Sequence, residues 1–307
     1  MSPTRLAWLA WITICVVWGT TYLAIRVALE TVPVFLVAGL RWMAAGVLLA
    51  VFAVATGRRL PGPRMWASLA VLGFLMNVVG NGFVVWAEQF VASGLTAVLI
   101  ASVPFWSVGI EACLPGGERV RWPTIAGLTL GFAGIVVLVW PDLSSGGVAG
   151  RRFVWGVIGI QLACLGWALG TSYTKRHPSS ADPLGASTVQ MLLSGTMLLG
   201  LATASNDWAA LSFTPRTAGA MIYLTIAGST IAYTAYVYAI QHLPISTVSL
   251  YAYVNPLIAV GLGTLLLGEP FSARILVAGG LVLAGTAVVR GVQSTSAPPA
   301  APRRAHP

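Results

Sequence analysis

Two polar pairs recur at one spacing in an otherwise apolar chain. Asn77 and Asn81 stand four residues apart, and 152 positions later Ser229 and Tyr233 repeat the arrangement. Residues at i and i+4 stack on one face of a helix, so each pair makes a polar stripe. An amide or hydroxyl withdrawn from water costs free energy until it finds a partner. Such stripes therefore face a neighbouring helix or a wet cavity, and their duplication favours a cavity that binds a solute by hydrogen bonds.

Aromatic residues surround these stripes in the sequence. Trp18 and Trp167 lie in the middle of apolar segments, 149 positions apart, where each indole N–H needs an acceptor. Of the eight tyrosines, Tyr223, Tyr233, Tyr236, Tyr238, Tyr251 and Tyr253 crowd into one stretch. Tyr251 and Asn255 share a helical face, as do Ser229, Tyr233 and Tyr236. An aromatic wall with a few amides suits a solute with an apolar body and a polar head, such as an amino acid. Tyr22 and Trp106 complete the candidate wall. Tyr223, Tyr238 and Tyr253 are assigned to lipid headgroups or neighbouring helices. Trp66, Trp122, Trp140 and Trp155 fall near segment ends, where interfacial anchoring accounts for them.

Charge inside the apolar segments is sparse. Arg41 is the basic residue at depth, and a cation there must snorkel, pair or face water. Glu88 is its candidate partner; capture of a substrate carboxylate is the sharper role. From Thr217 to Gly268 no charged residue occurs apart from His242, and Glu111 is the acidic residue that lies within a segment, near its end. Proton-coupled cation exchange generally needs a carboxylate in the membrane, so gradient-driven movement of neutral or zwitterionic solutes is the expectation, with Glu88 and Glu111 as the groups open to a proton. Several buried cations would be needed for a phosphorylated solute, and the only lysine is Lys175.

The elements that position these residues follow from composition. The chain of 307 residues is 57% hydrophobic and only 8% charged, with a mean hydropathy of +0.84, against about 25% charged residues in soluble domains. Crossing the hydrocarbon takes about 20 apolar residues. Ten such segments appear, at about 6–25, 34–55, 66–86, 93–113, 123–140, 153–173, 185–204, 218–239, 246–267 and 273–290. Continuous rather than alternating apolar runs exclude a barrel, so the expected fold is an all-α integral membrane protein. The first run, being long and followed by others, reads as a retained helix rather than a signal peptide.

The +9 net charge is scattered through the connections and implies no nucleic-acid partner. Placing the N-terminus inside puts Arg5, Arg58, Arg59, Arg64, Arg119, Arg121, Lys175, Arg176, Arg290, Arg303 and Arg304 on the cytoplasmic side, with Arg26, Arg151, Arg152, Arg216 and Arg274 outside. The positive-inside rule then makes both termini cytoplasmic.

The chain also repeats itself. Residues 87–104 overlay 239–256, aligning Gln89 with Gln241 and Pro104 with Pro256; Cys15, Trp18 and Gly46 align with Cys164, Trp167 and Gly195. Five segments per half is an odd number, so the halves 1–145 and 146–290 are expected to be inverted five-helix repeats, the arrangement behind alternating access. The tail 291–307 is Pro/Ala-rich and expected to be disordered. Pro104 and Pro256 interrupt corresponding segments and mark candidate hinges.

The duplicated five-helix pattern, the Trp-Gly-Thr-Thr-Tyr stretch at 18–22, and the Gly-Glu turns (Gly117-Glu118, Gly268-Glu269) before Gly-rich last helices resemble the EamA-type branch of the drug/metabolite transporter superfamily. The resemblance spans about residues 6–290. It implies ten helices in an inverted repeat and export of small metabolites, commonly amino acids. Within that branch the aromatic-lined segments are most similar to bacterial aromatic amino acid exporters; the runner-up is a drug-cation or nucleotide-sugar carrier. The implied partners are a small-molecule substrate and the lipid bilayer, the functional unit a monomer, and the setting a bacterial inner membrane crossed many times.

Enzymatic and metal chemistry lack a foothold. There is no H-E-x-x-H or paired-Asp motif, His177, His242 and His306 lie in loops or at a segment end, and Cys15, Cys113 and Cys164 have no ligand spacing. No metal and no cofactor are expected.

Overall fold

The computed structural model describes residues 2–115, 122–144, 147–177, 181–243, 245–248 and 250–296. Among these residues the regular structure is helical, with no strand. Ten elements carry it: α1 (Pro3–Ala28), α2 (Val34–Ala55), α3 (Pro63–Ala87), α4 (Ser93–Cys113), α5 (Trp122–Ser144), α6 (Val148–Arg176), α7 (Pro183–Ala204), α8 (Pro215–His242), α9 (Tyr251–Leu267) and α10 (Ala273–Ser296). Eight are long and apolar enough to cross a membrane, while α9 and the apolar part of α10, Ala273–Val289, are shorter. Large apolar side chains such as Val51, Val54, Leu257 and Leu265 point outward, a surface suited to hydrocarbon rather than water.

Local chemistry sets the ends. Ser2 accepts from Arg5 N with Pro3 opening α1, Asp182 accepts from Gly185 N ahead of Pro183, and Thr214 and Thr217 form a capping box around Pro215. Proline at the first helical position sacrifices a donor that has no partner anyway. Gly268 ends α9 in the left-handed region, at φ +63°, where glycine carries no steric penalty. Its repeat counterpart, the Gly117-Glu118 turn, lies outside the described residues.

Four elements are irregular. The middle of α3, Gly73–Asn81, and of α8, Leu224–Ile231, is π-helical, with bonds that span five residues instead of four. A turn at Ala101 and Ser102 breaks α4 into Ser93–Ile100 and Val103–Cys113. Pro104 thus sits in a first helical turn, while Pro256 lies inside α9, which runs through it. The expected ninth segment is instead divided near its start, between a short helix Ile245–Val248 and Tyr251. At the far end α10 continues to Ser296, past the expected boundary at 290. Nothing from Gly291 to Ser296 breaks a helix, and the first obstacle is Pro298, which disfavours helix at the residue before it. The remaining tail, 297–307, lies outside the described residues.

Packing follows the small residues. A Cβ on Gly46 would meet Leu192, one on Gly195 would meet Met43, and one on Gly39 would meet Leu199. As numbers rise along α2 they fall along α7, so these helices cross antiparallel with backbones close together, as small residues permit. The pair α5 and α10 repeats the pattern, Gly127 against Gly285 and Gly134 against Ala278 and Leu281. Around these pairs, α1 packs on α8 and α9, while α6 packs on α3 and α4. α4 meets α9 where Gly94 lies on the Val260 backbone.

Candidate functional site

A cavity of about 150 Å³ opens between α1, α2, α3, α4, α6, α8 and α9. A water needs at least about 10–15 Å³ of such volume, so the space holds several waters or a small solute. Trp18, Tyr22, Asn81, Trp167, Tyr233, Tyr251 and Asn255 line it, together with Arg41 and Pro104. Trp106, Asn77, Ser229, Tyr236, Glu88 and Pro256 stand outside the lining.

The two polar stripes divide in the same manner. Asn77 is buried and donates to Ser194 Oγ of α7 at 2.9 Å, while Gln190 donates to its Oδ1 at 3.3 Å. Asn81 faces the cavity. In α8, Ser229 is buried and accepts from Arg41 Nε of α2 at 2.6 Å, while Tyr233 faces the cavity. A common face for residues four apart assumes α-helical pitch. The π-helical turns widen that pitch, and the first residue of each pair goes to a neighbouring helix. Asn77, read as cavity lining, is corrected here to an interhelical tie.

Arg41 is 3% exposed and stays off the lipid face. Besides Ser229, it reaches Asn81 Oδ1 from Nη1 at 3.4 Å. Glu88 is not its hydrogen-bonding partner: Arg26 Nη1 donates to the Glu88 backbone carbonyl, and both carboxylate oxygens of Glu88 are buried without a hydrogen bond among the described residues. The neutral groups of α3 and α8 lie closer to the guanidinium and take two of its five donors. Among the described residues no acidic side chain lines the cavity, and the fixed charge they bring to it is that of Arg41. A carboxylate entering it gains a charge-assisted contact.

The aromatic wall is braced from behind. Trp18 Nε1 donates to Gly228 O at 3.1 Å, giving the buried indole its acceptor on the π-helical turn of α8. Tyr236 and Tyr251 lie 5.4 and 5.1 Å from the Trp18 ring, within the aromatic-pair range. Tyr236 thus supports the lining without reaching it. Asn255 can donate its amide nitrogen to Cys15 O and Tyr251 O, both at 3.0 Å, in the orientation that satisfies both groups. Trp106 donates to Gln161 Oε1 at 3.0 Å, tying α4 to α6 away from the cavity.

Trp42 is the largest of the lining residues that the sequence reading did not single out. It lines the cavity at 4% exposure, and its Nε1 is buried without a partner among the described residues. Its signal was its position beside Arg41, deep in the second segment; its repeat counterpart, Met191, carries no matching group, so the overlay passed over it.

Comparisons with known proteins fit this geometry. The model of the EamA-like transporter family matches twice, over residues 5–140 and 154–291. An uncharacterized inner membrane transporter of Escherichia coli, YedA, is 35% identical over 277 residues, covering 89% of this chain and 87% of that protein. A chloroplastic WAT1-related protein of Arabidopsis thaliana is 30% identical, covering 91% of this chain and 68% of that one. A probable terminal-alkyne amino-acid exporter of Streptantibioticus cattleyicolor is 27% identical, covering 94% of each. One solved crystal structure matches with a TM-score of 0.62 at 20% identity, covering 95% of this chain and 99% of the other; that likeness is one of fold. The Escherichia coli relative is named a transporter and the Streptantibioticus cattleyicolor one a probable exporter, and the matched family is one of transporters rather than enzymes. With the family model matched over both 5–140 and 154–291, the chain belongs to the EamA-like transporter family.

Proposed function

We propose that this protein exports amino acids with apolar or aromatic side chains, or close analogues, across a bacterial inner membrane by alternating access. The single observation that carries the reading is the cavity in which Arg41 and Asn81 stand with an aromatic wall. Arg41 takes the substrate carboxylate, Asn81 and Asn255 its remaining polar atoms, and Trp18, Tyr22, Trp167, Tyr233 and Tyr251 its apolar body. The amino-acid exporter among the relatives lends support, as does the inner-membrane relative for the location.

The halves 1–145 and 146–290 act as inverted repeats. Support comes from the double family match and from the antiparallel crossings of α2 with α7 and α5 with α10, corresponding helices of the two halves. A contact in which residue i meets j while the equivalent of j meets the equivalent of i is the mark of a two-fold relation. With the N-terminus and C-terminus cytoplasmic, the end that carries Glu88 and Glu269 faces outward. A monomer encloses the whole cavity, so no second copy is required.

Counterflow of labelled phenylalanine in proteoliposomes, compared with a lipophilic cation, tests the reading. Exchange of phenylalanine but not of the cation is expected. Exchange of the cation alone would favour the drug-cation carrier, although the cavity holds an arginine and no acid.

A further inference from the structure

The outward end, as oriented by the proposed function on which this inference rests, is held together by a set of half-buried polar contacts. Glu269, just past the end of α9, accepts from the backbone nitrogens of Ser93 and Gly94 at 2.7 and 3.1 Å, gripping the first turn of α4. Gly94 lies against the Val260 backbone, and Arg26 of α1 holds the Glu88 carbonyl. Glu88 itself is 0% exposed, yet neither carboxylate oxygen has a hydrogen-bond partner among the described residues. Ser93 Oγ and Thr96 Oγ1 of the same region are equally buried and unpartnered.

An ionised carboxylate stripped of water and of donors is costly, and in practice such a group takes up a proton instead. The neighbouring charges do not change that. Arg26 and Arg41 attract the anion from a distance but neither donates to it, Arg26 being bonded to the backbone carbonyl and Arg41 to Ser229 and Asn81, while the Glu269 carboxylate repels it and Tyr22 of α1 lies within electrostatic range. α6, packed on the turn through Gly156 against Val91, carries Arg151 and Arg152 at its outer end, both exposed.

We propose that Glu88 is a proton-binding site of the transport cycle, loaded while the outward end is closed and emptied when that end opens. Opening parts α4 from α9 and admits water to Glu88; the acid releases one proton to that water and becomes carboxylate. Closing requires the same proton back, because the sealed pocket offers the anion no donor. External pH therefore sets how readily the outward end opens.

Two readouts need no knowledge of the substrate. In the infrared spectrum of the purified full chain near neutral pH, one band of a water-shielded protonated carboxyl is expected, lost in Glu88→Gln and kept in Glu111→Gln. In a cysteine-free background, Ala97→Cys places a thiol on the cavity wall, and a membrane-impermeant thiol reagent added outside should label it faster as external pH rises. Because the thiolate is the species that reacts, Glu88→Gln keeps the slope of the thiol itself, and the parent should exceed it by up to about tenfold per pH unit, the limit for one linked proton. A missing band, a band that survives Glu88→Gln, or the same pH slope in the parent and in Glu88→Gln overturns the proposal, as does labelling that follows sodium instead of protons. Should Glu88→Gln not fold, Glu88→Asp serves, with a displaced band expected and an unmoved one contrary. Failure to exchange phenylalanine with both readouts positive would sink the amino-acid reading and leave the proton site standing.

Discussion

Arg41 Nε donates to Ser229 Oγ at 2.6 Å, joining α2 to the π-helical turn of α8. Shifted by the repeat offsets of 149 and 152, those positions become Gln190 and Asn77, which are also bonded, at 3.3 Å. One tie is thus built twice, once with a cation and once with an amide.

Arg41→Gln copies the uncharged version of the tie. The variant is expected to fold, keep a hydrogen bond to Ser229, and lose recognition of a carboxylate. A hydrogen bond to a charged group contributes about 1.5–3 kcal/mol, so phenylalanine counterflow should fall by about one to two orders of magnitude. Phenylalaninamide, which lacks the carboxylate, should be affected far less. Equal loss for both solutes counts against the carboxylate role.

Trp167→Ala removes an aromatic face of the cavity without a hydrogen bond to lose. Aromatic contacts are worth about 0.5–1.5 kcal/mol beyond area, so the KM for an aromatic substrate should rise by about threefold to tenfold. Thermal stability in detergent should barely move. An unchanged KM would place the substrate elsewhere.

Trp18→Phe keeps a ring against Tyr236 and Tyr251 but abandons Gly228 O. A buried acceptor left unpaired costs about 1–3 kcal/mol. A lowered melting temperature is expected, larger than that of Trp167→Ala, as read by thermal denaturation of the two purified variants.

Gly195→Ala puts a Cβ 2.7 Å from the Met43 backbone nitrogen, whereas Gly200, also on α7, has nothing within 4 Å of the same atom. Overpacking typically costs about 1–3 kcal/mol, while Gly→Ala at an open helical position gains about 0.5–1 kcal/mol. The two variants should shift the melting temperature in opposite directions. Parallel shifts would rule out a tight crossing of α2 and α7.

Much of this was legible in the residues. The apolar segments and the alignment of Trp18 with Trp167 anticipated the helices and part of the cavity wall, since long apolar runs and aromatic spacing survive in a single chain. Asn77 was misplaced because a π-helical turn leaves no trace in the helical period used to read it. The pairing of Glu88 with Arg41 was inferred from opposite charge, and hydrogen-bond geometry decided otherwise. Trp42 stayed unseen because its importance comes from an unpaired N–H, which depends on every neighbouring helix at once.

The crossing of α2 and α7 reads the same from either half, Gly46 on Leu192 and Gly195 on Met43. On the proposed inverted-repeat reading, an interface unchanged by exchanging the halves would contribute equally to the inward-open and outward-open forms and serve as a fulcrum that favours neither. Whatever bias the resting transporter has must come from positions where the halves differ, and Arg41 opposite Gln190 is such a position, on the fulcrum helices themselves.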